Sequence, residues 1–273
     1  MGYWFESSSV ELEVGGTPMT LETGRMAKQA AGATVVTYGG TVVLVTAAHG
    51  APRPGQDFFP LTVDFVEKTS AAGKIPGGFF KREARLSDRE ILVCRFIDRS
   101  IRPLWPEAYY DEVHIVATVL AVDNHNPPDL PAFIGASTSL TLSDLPFQGP
   151  IAAVRVGKLD GKLIANPTYE QLEESSMELV VAGSEKAMVM VEGGAKEATE
   201  AEVLEALQYG PETVQPIIKI QEELRGLAGK PKTERPAPPD HSAARERIRG
   251  LAEEKLREAV RIQTKKDRYD AIS

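Results

Sequence analysis

Apolar and polar residues alternate from Val10 to Val14 and again from Met19 to Glu22, with Gly15-Gly16 between them, which predicts a β-hairpin. Thr34 to Tyr38 and Thr41 to Ala47 are β-branched runs separated by Gly39-Gly40, a second hairpin whose second strand is apolar on both faces. Pro60 to Val66 and Val113 to Val122 read as further strands. Leu130 to Ser143, after the turn Asp123 to Asp129, reads as a helix of small residues packed close to a sheet. Ile151 to Val156, Lys162 to Ile164, Leu179 to Ala182 and Ala187 to Val191 complete the strands. Strands and helices interleaved in this order predict an α+β fold with a mixed sheet covered by helices.

Beyond Gly193-Gly194 the pattern turns helical. Thr199 and Glu202 form a capping box, and the helix they open is expected to end at Gly210-Pro211. Val214, Ile217, Ile218 and Leu224 give a second helical stripe, and 229–240 is a proline-rich linker. His241 to Ser273 is charged and helical, with a thin apolar stripe through Ile248, Leu251 and Leu256. The expected organisation is a core domain over 1–194 and an all-α domain over 195–273.

Composition narrows the class. The 273 residues are 42% hydrophobic and 26% charged, ordinary for a soluble globular protein with a sizeable core. No run approaches 18 apolar residues, and the N-terminal residues lack the basic and apolar regions of a secretory signal, so neither membrane association nor export is expected. One cysteine, Cys94, suits a cytoplasmic setting and, on the apolar side of a helix, is expected to be structural. The net charge of -8 means that any polyanion must be held by a local basic patch.

Such a patch exists. From Lys81 to Arg102 there are seven basic residues (Lys81, Arg82, Arg85, Arg89, Arg95, Arg99, Arg102) against four acidic ones. Phe79 and Phe80 stand between Gly77-Gly78 and the first basic pair. Rings beside cations on a glycine-flexed loop suit single-stranded nucleic acid, stacking on bases and neutralising phosphate. Ser87 and Glu90 form a capping box that opens the following helix, with Ile91, Leu92, Cys94, Phe96, Ile97 and Ile101 expected on its buried side. Arg95 and Arg99 share a face, and Pro103 is expected to stop the helix and free Arg102 from it. The competing reading is a solvated face braced by Asp98 and Glu90, with Arg99 the expected brace and Arg102 the expected nucleic-acid contact.

The segments Phe79-Phe80-Lys81-Arg82 and Ile97-Asp98-Arg99-Ser100-Ile101-Arg102-Pro103-Leu104 resemble the first core domain of bacterial polynucleotide phosphorylases. Leu21 to Ala30, Pro60 to Asp64, Ile134 to Ser137 and Leu179 to Gly183 extend the resemblance over nearly the whole chain. The resemblance implies an RNase PH-like core followed by a helical linker domain cut short at Ser273. It implies part of a phosphate-dependent 3′-to-5′ exoribonuclease, which converts RNA and inorganic phosphate reversibly to nucleoside diphosphates. It further implies a homotrimeric ring, single-stranded RNA as ligand, partners in RNA-degradation complexes, and Phe79, Phe80, Lys81, Arg82, Arg95, Arg99 and Arg102 as RNA-binding residues.

Within this resemblance, catalysis belongs to a second core domain, where two aspartates hold Mg²⁺ and a Gly-Ser-Ser turn holds phosphate. The matching positions here are Leu172 and Glu178, and the turn Asn126-Pro127-Pro128. Leucine offers no oxygen to Mg²⁺, and proline offers no N–H to phosphate. No catalytic and no metal-binding residue is therefore expected in this chain, and the Mg²⁺ site is expected outside it. The six-residue spacing of Asp123 and Asp129 straddles the proline turn and is read as coincidence. The alternatives are a non-catalytic RNA-binding scaffold subunit and a stand-alone RNase PH-like exoribonuclease. A small-molecule kinase is disfavoured because Gly193-Gly194 is followed by no Lys-Ser/Thr pair.

Overall fold

The computed structural model describes residues 6–77, 79, 83, 85–234 and 240–273. Both expected hairpins form. Strands β1 (Ser8–Val14) and β2 (Thr17–Thr23) pair through Gly15 and Gly16, at φ +60° and +78°, the left-handed conformation that a two-residue hairpin turn demands. β3 (Gly32–Tyr38), β4 (Thr41–Gly50), β5 (Leu61–Val66) and β6 (Glu112–Ala121) complete a six-stranded sheet of order β1-β2-β3-β4-β6-β5. Its strands pair antiparallel except β5 with β6, which is parallel and makes the sheet mixed. The chain passes from β5 to β6 through helix α1 (Asp88–Ile101), as a parallel pair requires.

The second sheet, of order β10-β9-β7-β8, is built from β7 (Ala152–Leu159), β8 (Lys162–Ala165), β9 (Met177–Gly183) and β10 (Met188–Ala195). Helix α2 (Asp129–Leu142) packs against β3 and β4 of the first sheet and against β7 of the second. Every residue from Leu130 to Leu142 is buried, so small side chains are needed where strands press closest. A Cβ on Gly135 would lie 2.5 Å from Val45 Cγ2. Three of the helix's hydroxyls find partners inside: Ser139 Oγ donates to the Val45 carbonyl at 3.0 Å, Thr138 Oγ1 donates to the Ile134 carbonyl at 2.7 Å, and Ser137 Oγ accepts from Ile151 N at 2.9 Å.

The α+β expectation holds. Locally, one helix is unexpected and another is longer than expected. A short helix α3 (Tyr169–Glu174) with a Thr168/Gln171 capping box occupies a stretch for which the alternation of residues predicts no element. The helix opened by Thr199 does not end at Gly210-Pro211, but runs on as α4 (Glu200–Ala228) through Pro211 and Pro216. Its buried positions Ala206, Gly210, Val214, Ile217, Gln221 and Leu224 keep one helical register across both prolines. Burial of that stripe outweighs the ~3 kcal/mol that an interior proline costs. Thr213 Oγ1 donates to the Tyr209 carbonyl at 2.9 Å beside the first proline.

Helix α4, expected within an all-α domain beginning at 195, packs against β7, β9 and β1. By its contacts the chain divides into Met1–Arg235 and Pro236–Ser273. The second unit holds α5 (Ser242–Ala259) and α6 (Lys265–Ile272), which pack on each other. No described helix is long and apolar enough to cross a membrane.

Candidate nucleic-acid interface

The capping box that opens α1 is present in full. Ser87 Oγ accepts from Glu90 N at 3.2 Å, and Glu90 Oε2 accepts from Ser87 N at 2.6 Å. Glu90, Cys94, Asp98 and Arg102 follow at intervals of four, a rise of about 6 Å per step that nearly matches two residues of strand. This stripe lies along the outer edge of β5 and answers its main chain. Glu90 Oε1 accepts from Glu67 N at 2.9 Å, and Cys94 Sγ accepts from Phe65 N at 3.1 Å. Arg102 donates to the carbonyls of Phe59 and Leu61 at 3.0 and 3.1 Å. Burial pushes the Cys94 thiol's pKa up, in keeping with a structural thiol.

Two features of this helix differ from the expectation. Ile91 and Leu92 are 44% and 60% exposed; the buried positions are Glu90, Val93, Phe96, Ile97, Ser100 and Ile101. Arg102 is the brace rather than the free cation. It remains helical, at φ -54° and ψ -41°, because Pro103 is accepted near the start of a following 3-10 turn, Arg102–Leu104. Asp98 lies one turn below Arg102 and pairs with it at 3.0 Å through Nε, whereas the neighbouring Arg99 points about 100° away. Arg99 instead reaches Glu192 of β10 at 3.2 Å, an exposed pair.

Arg95 is exposed and forms no ion pair with an acid among the described residues. It lies between the exposed Ile91 and Leu92 on the helix surface, with Arg99 one turn on. Phe79, in the preceding loop, is 93% exposed. Phe80, Lys81 and Arg82 lie outside the described residues. The outer face of α1 thus combines guanidinium groups with accessible apolar surface, as a ligand of bases and phosphates requires.

The positions compared with a metal and phosphate site do not fit those ligands. Leu172 is a half-buried residue of α3. Glu178 lies 2.8 Å from Arg155 Nε, and Asp129 accepts from Arg155 Nη2 at 2.6 Å, so one buried guanidinium already answers both carboxylates. Burial would raise the Asp129 pKa, but Arg155 holds it below the usual range. Among the described residues, no group of three or more His, Cys, Asp or Glu side chains could hold a metal ion.

At the proline turn several donors are spent on the turn's own aspartates. His125 N and Asn126 N both donate to Asp123 Oδ1, at 2.9 and 2.8 Å, and Leu130 N donates to Asp129 Oδ1 at 2.8 Å. Asp123 also accepts from Gly40 N at 2.9 Å and Asn126 Nδ2 at 2.7 Å. Burial opposes its charge, but these hydrogen bonds hold its carboxyl well below the usual carboxylate range. Asp123 and Asp129 therefore have separate structural partners.

Residues 16–146 match the model of the 3′ exoribonuclease family, domain 1, and residues 149–212 match that of domain 2. The chain is 55% identical over 264 residues to the polyribonucleotide nucleotidyltransferase of Geobacter sulfurreducens, covering 96% of this chain and 38% of that protein. The corresponding enzyme of Sorangium cellulosum is 54% identical over 260 residues, covering 95% of this chain and 34% of that protein. The chain therefore spans little more than a third of the length of these relatives. Among solved structures, rice Rrp46 superposes with a TM-score of 0.59 at 13% identity, covering 81% of this chain and 94% of that one. A chain of an archaeal exosome core gives 0.55 at 13% identity, covering 81% and 87%. Both domain models match in order, and the solved structures share the fold: the chain belongs to the 3′ exoribonuclease family.

Proposed function

We propose that this chain is the RNA-gripping part of a polyribonucleotide nucleotidyltransferase, a phosphate-dependent 3′-to-5′ exoribonuclease whose chemistry lies in a second core domain outside these residues. The observation that carries the reading is the match to such enzymes along 96% of this chain and 38% of their length. Lack of oxygen at Leu172 and occupation of Asp129 and Glu178 by Arg155 support placing catalysis elsewhere. In the whole enzyme, Mg²⁺ and inorganic phosphate would be held by that second domain. Oligomerisation into a homotrimeric ring, participation in RNA-degradation complexes and a cytoplasmic location belong to the same proposal.

Here the loop containing Phe79, with Arg95 and Arg99 on α1, holds single-stranded RNA. Phe79 stacks on a base, and the guanidinium groups neutralise phosphates. The purified 273-residue chain is expected to bind oligo(A), with affinity falling as salt rises, and to release no nucleoside diphosphate when given phosphate. Release of diphosphates would move the chemistry into this domain, and absence of binding at low salt would remove the RNA-gripping role.

A further inference from the structure

The 19 residues between Glu67 and Ser87 leave the end of β5 and return to the start of α1, carrying five basic residues and one acid, Glu83. A loop of this length orders at an entropic cost unless something ties its ends together. The outgoing limb is fixed to the sheet, since Val122 N donates to the Ala71 carbonyl at 3.1 Å. The returning limb is held by carboxylates. Glu83 Oε1 accepts from Thr69 N at 2.7 Å, and Glu90 accepts from Glu67 N and from Ser87 N.

We propose, on the RNA-gripping reading above, that Glu90 is a positioning residue for the RNA-binding loop, its one buried carboxylate tying both ends of the loop together and so setting how Phe79 is presented. A capping box requires only the bond to Ser87 N. The bond to Glu67 N is additional and spans 23 positions of sequence. Ser87 Oγ donates a further hydrogen bond to the same carboxylate at 2.9 Å. Burial works against the charge, but these donors outweigh it and hold the Glu90 pKa below its usual value, so the staple is ionised at neutral pH.

The test compares Glu90→Gln with Ser87→Ala and Phe79→Ala in the 273-residue chain, reading oligo(A) affinity and the rate of tryptic cleavage after Lys74 and Arg85. Ser87→Ala weakens the cap but leaves both main-chain bonds to Glu90. Glu90→Gln is expected to weaken binding about five- to tenfold and to hasten cleavage by a similar factor. Ser87→Ala is expected to lower the melting temperature and leave affinity and cleavage within about twofold. If Ser87→Ala reproduces the Glu90→Gln effects, or Glu90→Gln changes neither readout, Glu90 is a helix cap and the proposal is overturned. If Phe79→Ala leaves affinity unchanged, the RNA reading of the loop fails, while the cleavage comparison still judges the staple. Should Glu90→Gln not fold, Glu67→Pro deletes the donor and spares the cap. It is expected to hasten cleavage and weaken binding, and wild-type behaviour on both counts would overturn the proposal.

Discussion

Asp98 of α1 and Arg102 just beyond it stand one turn apart, and their ion pair aims the guanidinium at the main-chain oxygens of Phe59 and Leu61. An edge strand with unanswered N–H and C=O groups invites pairing with another chain. Here the polar stripe 90-94-98-102 covers β5, and the same helix turns Arg95 and Arg99 to solvent.

These arginines are expected to separate by measurement. Arg102→Ala should destabilise the fold by about 1–3 kcal/mol, because two main-chain acceptors and Asp98 lose a charged donor, partly screened by solvent. Its salt dependence of RNA binding should stay unchanged. Arg95→Ala should leave the melting temperature unchanged and reduce the slope of log affinity against log salt by about 0.7, the value for one phosphate on a single strand. Thermal melts and salt titrations of the two variants check this; a slope change in Arg102→Ala with no loss of stability would reverse the assignment.

Phe79→Ala should leave stability within about 0.5 kcal/mol, since the ring is almost wholly exposed. Loss of one stacked base should weaken oligo(A) binding by about 1–3 kcal/mol. Fluorescence anisotropy with labelled oligo(A), alongside a denaturant melt, tests both halves. Wild-type affinity would count against stacking.

The pH dependence of stability should carry the mark of Asp123. Its folded pKa lies below the ordinary aspartate value, so its contribution is fully present above about pH 4 and is lost as pH falls through the folded value. Asp123→Asn sets an amide donor either against Gly40 N and Asn126 Nδ2 or against His125 N and Asn126 N, and should cost about 1–3 kcal/mol at pH 7. The gap between the two proteins should narrow on acidification. Denaturant unfolding at pH 7 and at pH 3 checks the sign, and a gap that widens at pH 3 would refute it.

Arg155 should be the costliest charge to remove. Its side chain is 9% exposed, and truncation leaves Asp129 and Glu178 without their cation. Arg155→Ala is expected to destabilise by about 3–5 kcal/mol, while Arg155→Ala combined with Asp129→Leu recovers part of the loss by removing one stranded carboxylate. Chemical denaturation of the single and double variants measures it. A double variant no more stable than the single one would show that packing, rather than charge, sets the cost.

Much of this protein was legible along the chain because its cues are local. The glycine-turned hairpins, the Ser87/Glu90 and Thr199/Glu202 caps and the small-residue helix all depend on residues within one turn or one strand of each other. The basic face at Arg95 and Arg99 follows from four-residue spacing alone. The same local signal stands at Thr168 and Gln171, the cap of the unexpected α3.

What spacing could not decide was which side of each helix meets the rest of the protein. Ile91 and Leu92 are apolar enough for a core, yet β5 and α2 take the neighbouring arc of α1, so both are left outside and Glu90 is drawn in. Pro211 and Pro216 carry a local stop signal that the buried face of α4 overrides. Arg102 reads as a free cation until β5 brings the carbonyls of Phe59 and Leu61 within reach, across 43 and 41 positions of sequence. Local pattern set most of the elements; partners distant in sequence decided which charges are spent inside the fold and which stay at the surface, because a guanidinium or carboxylate takes whatever main-chain group the packing delivers.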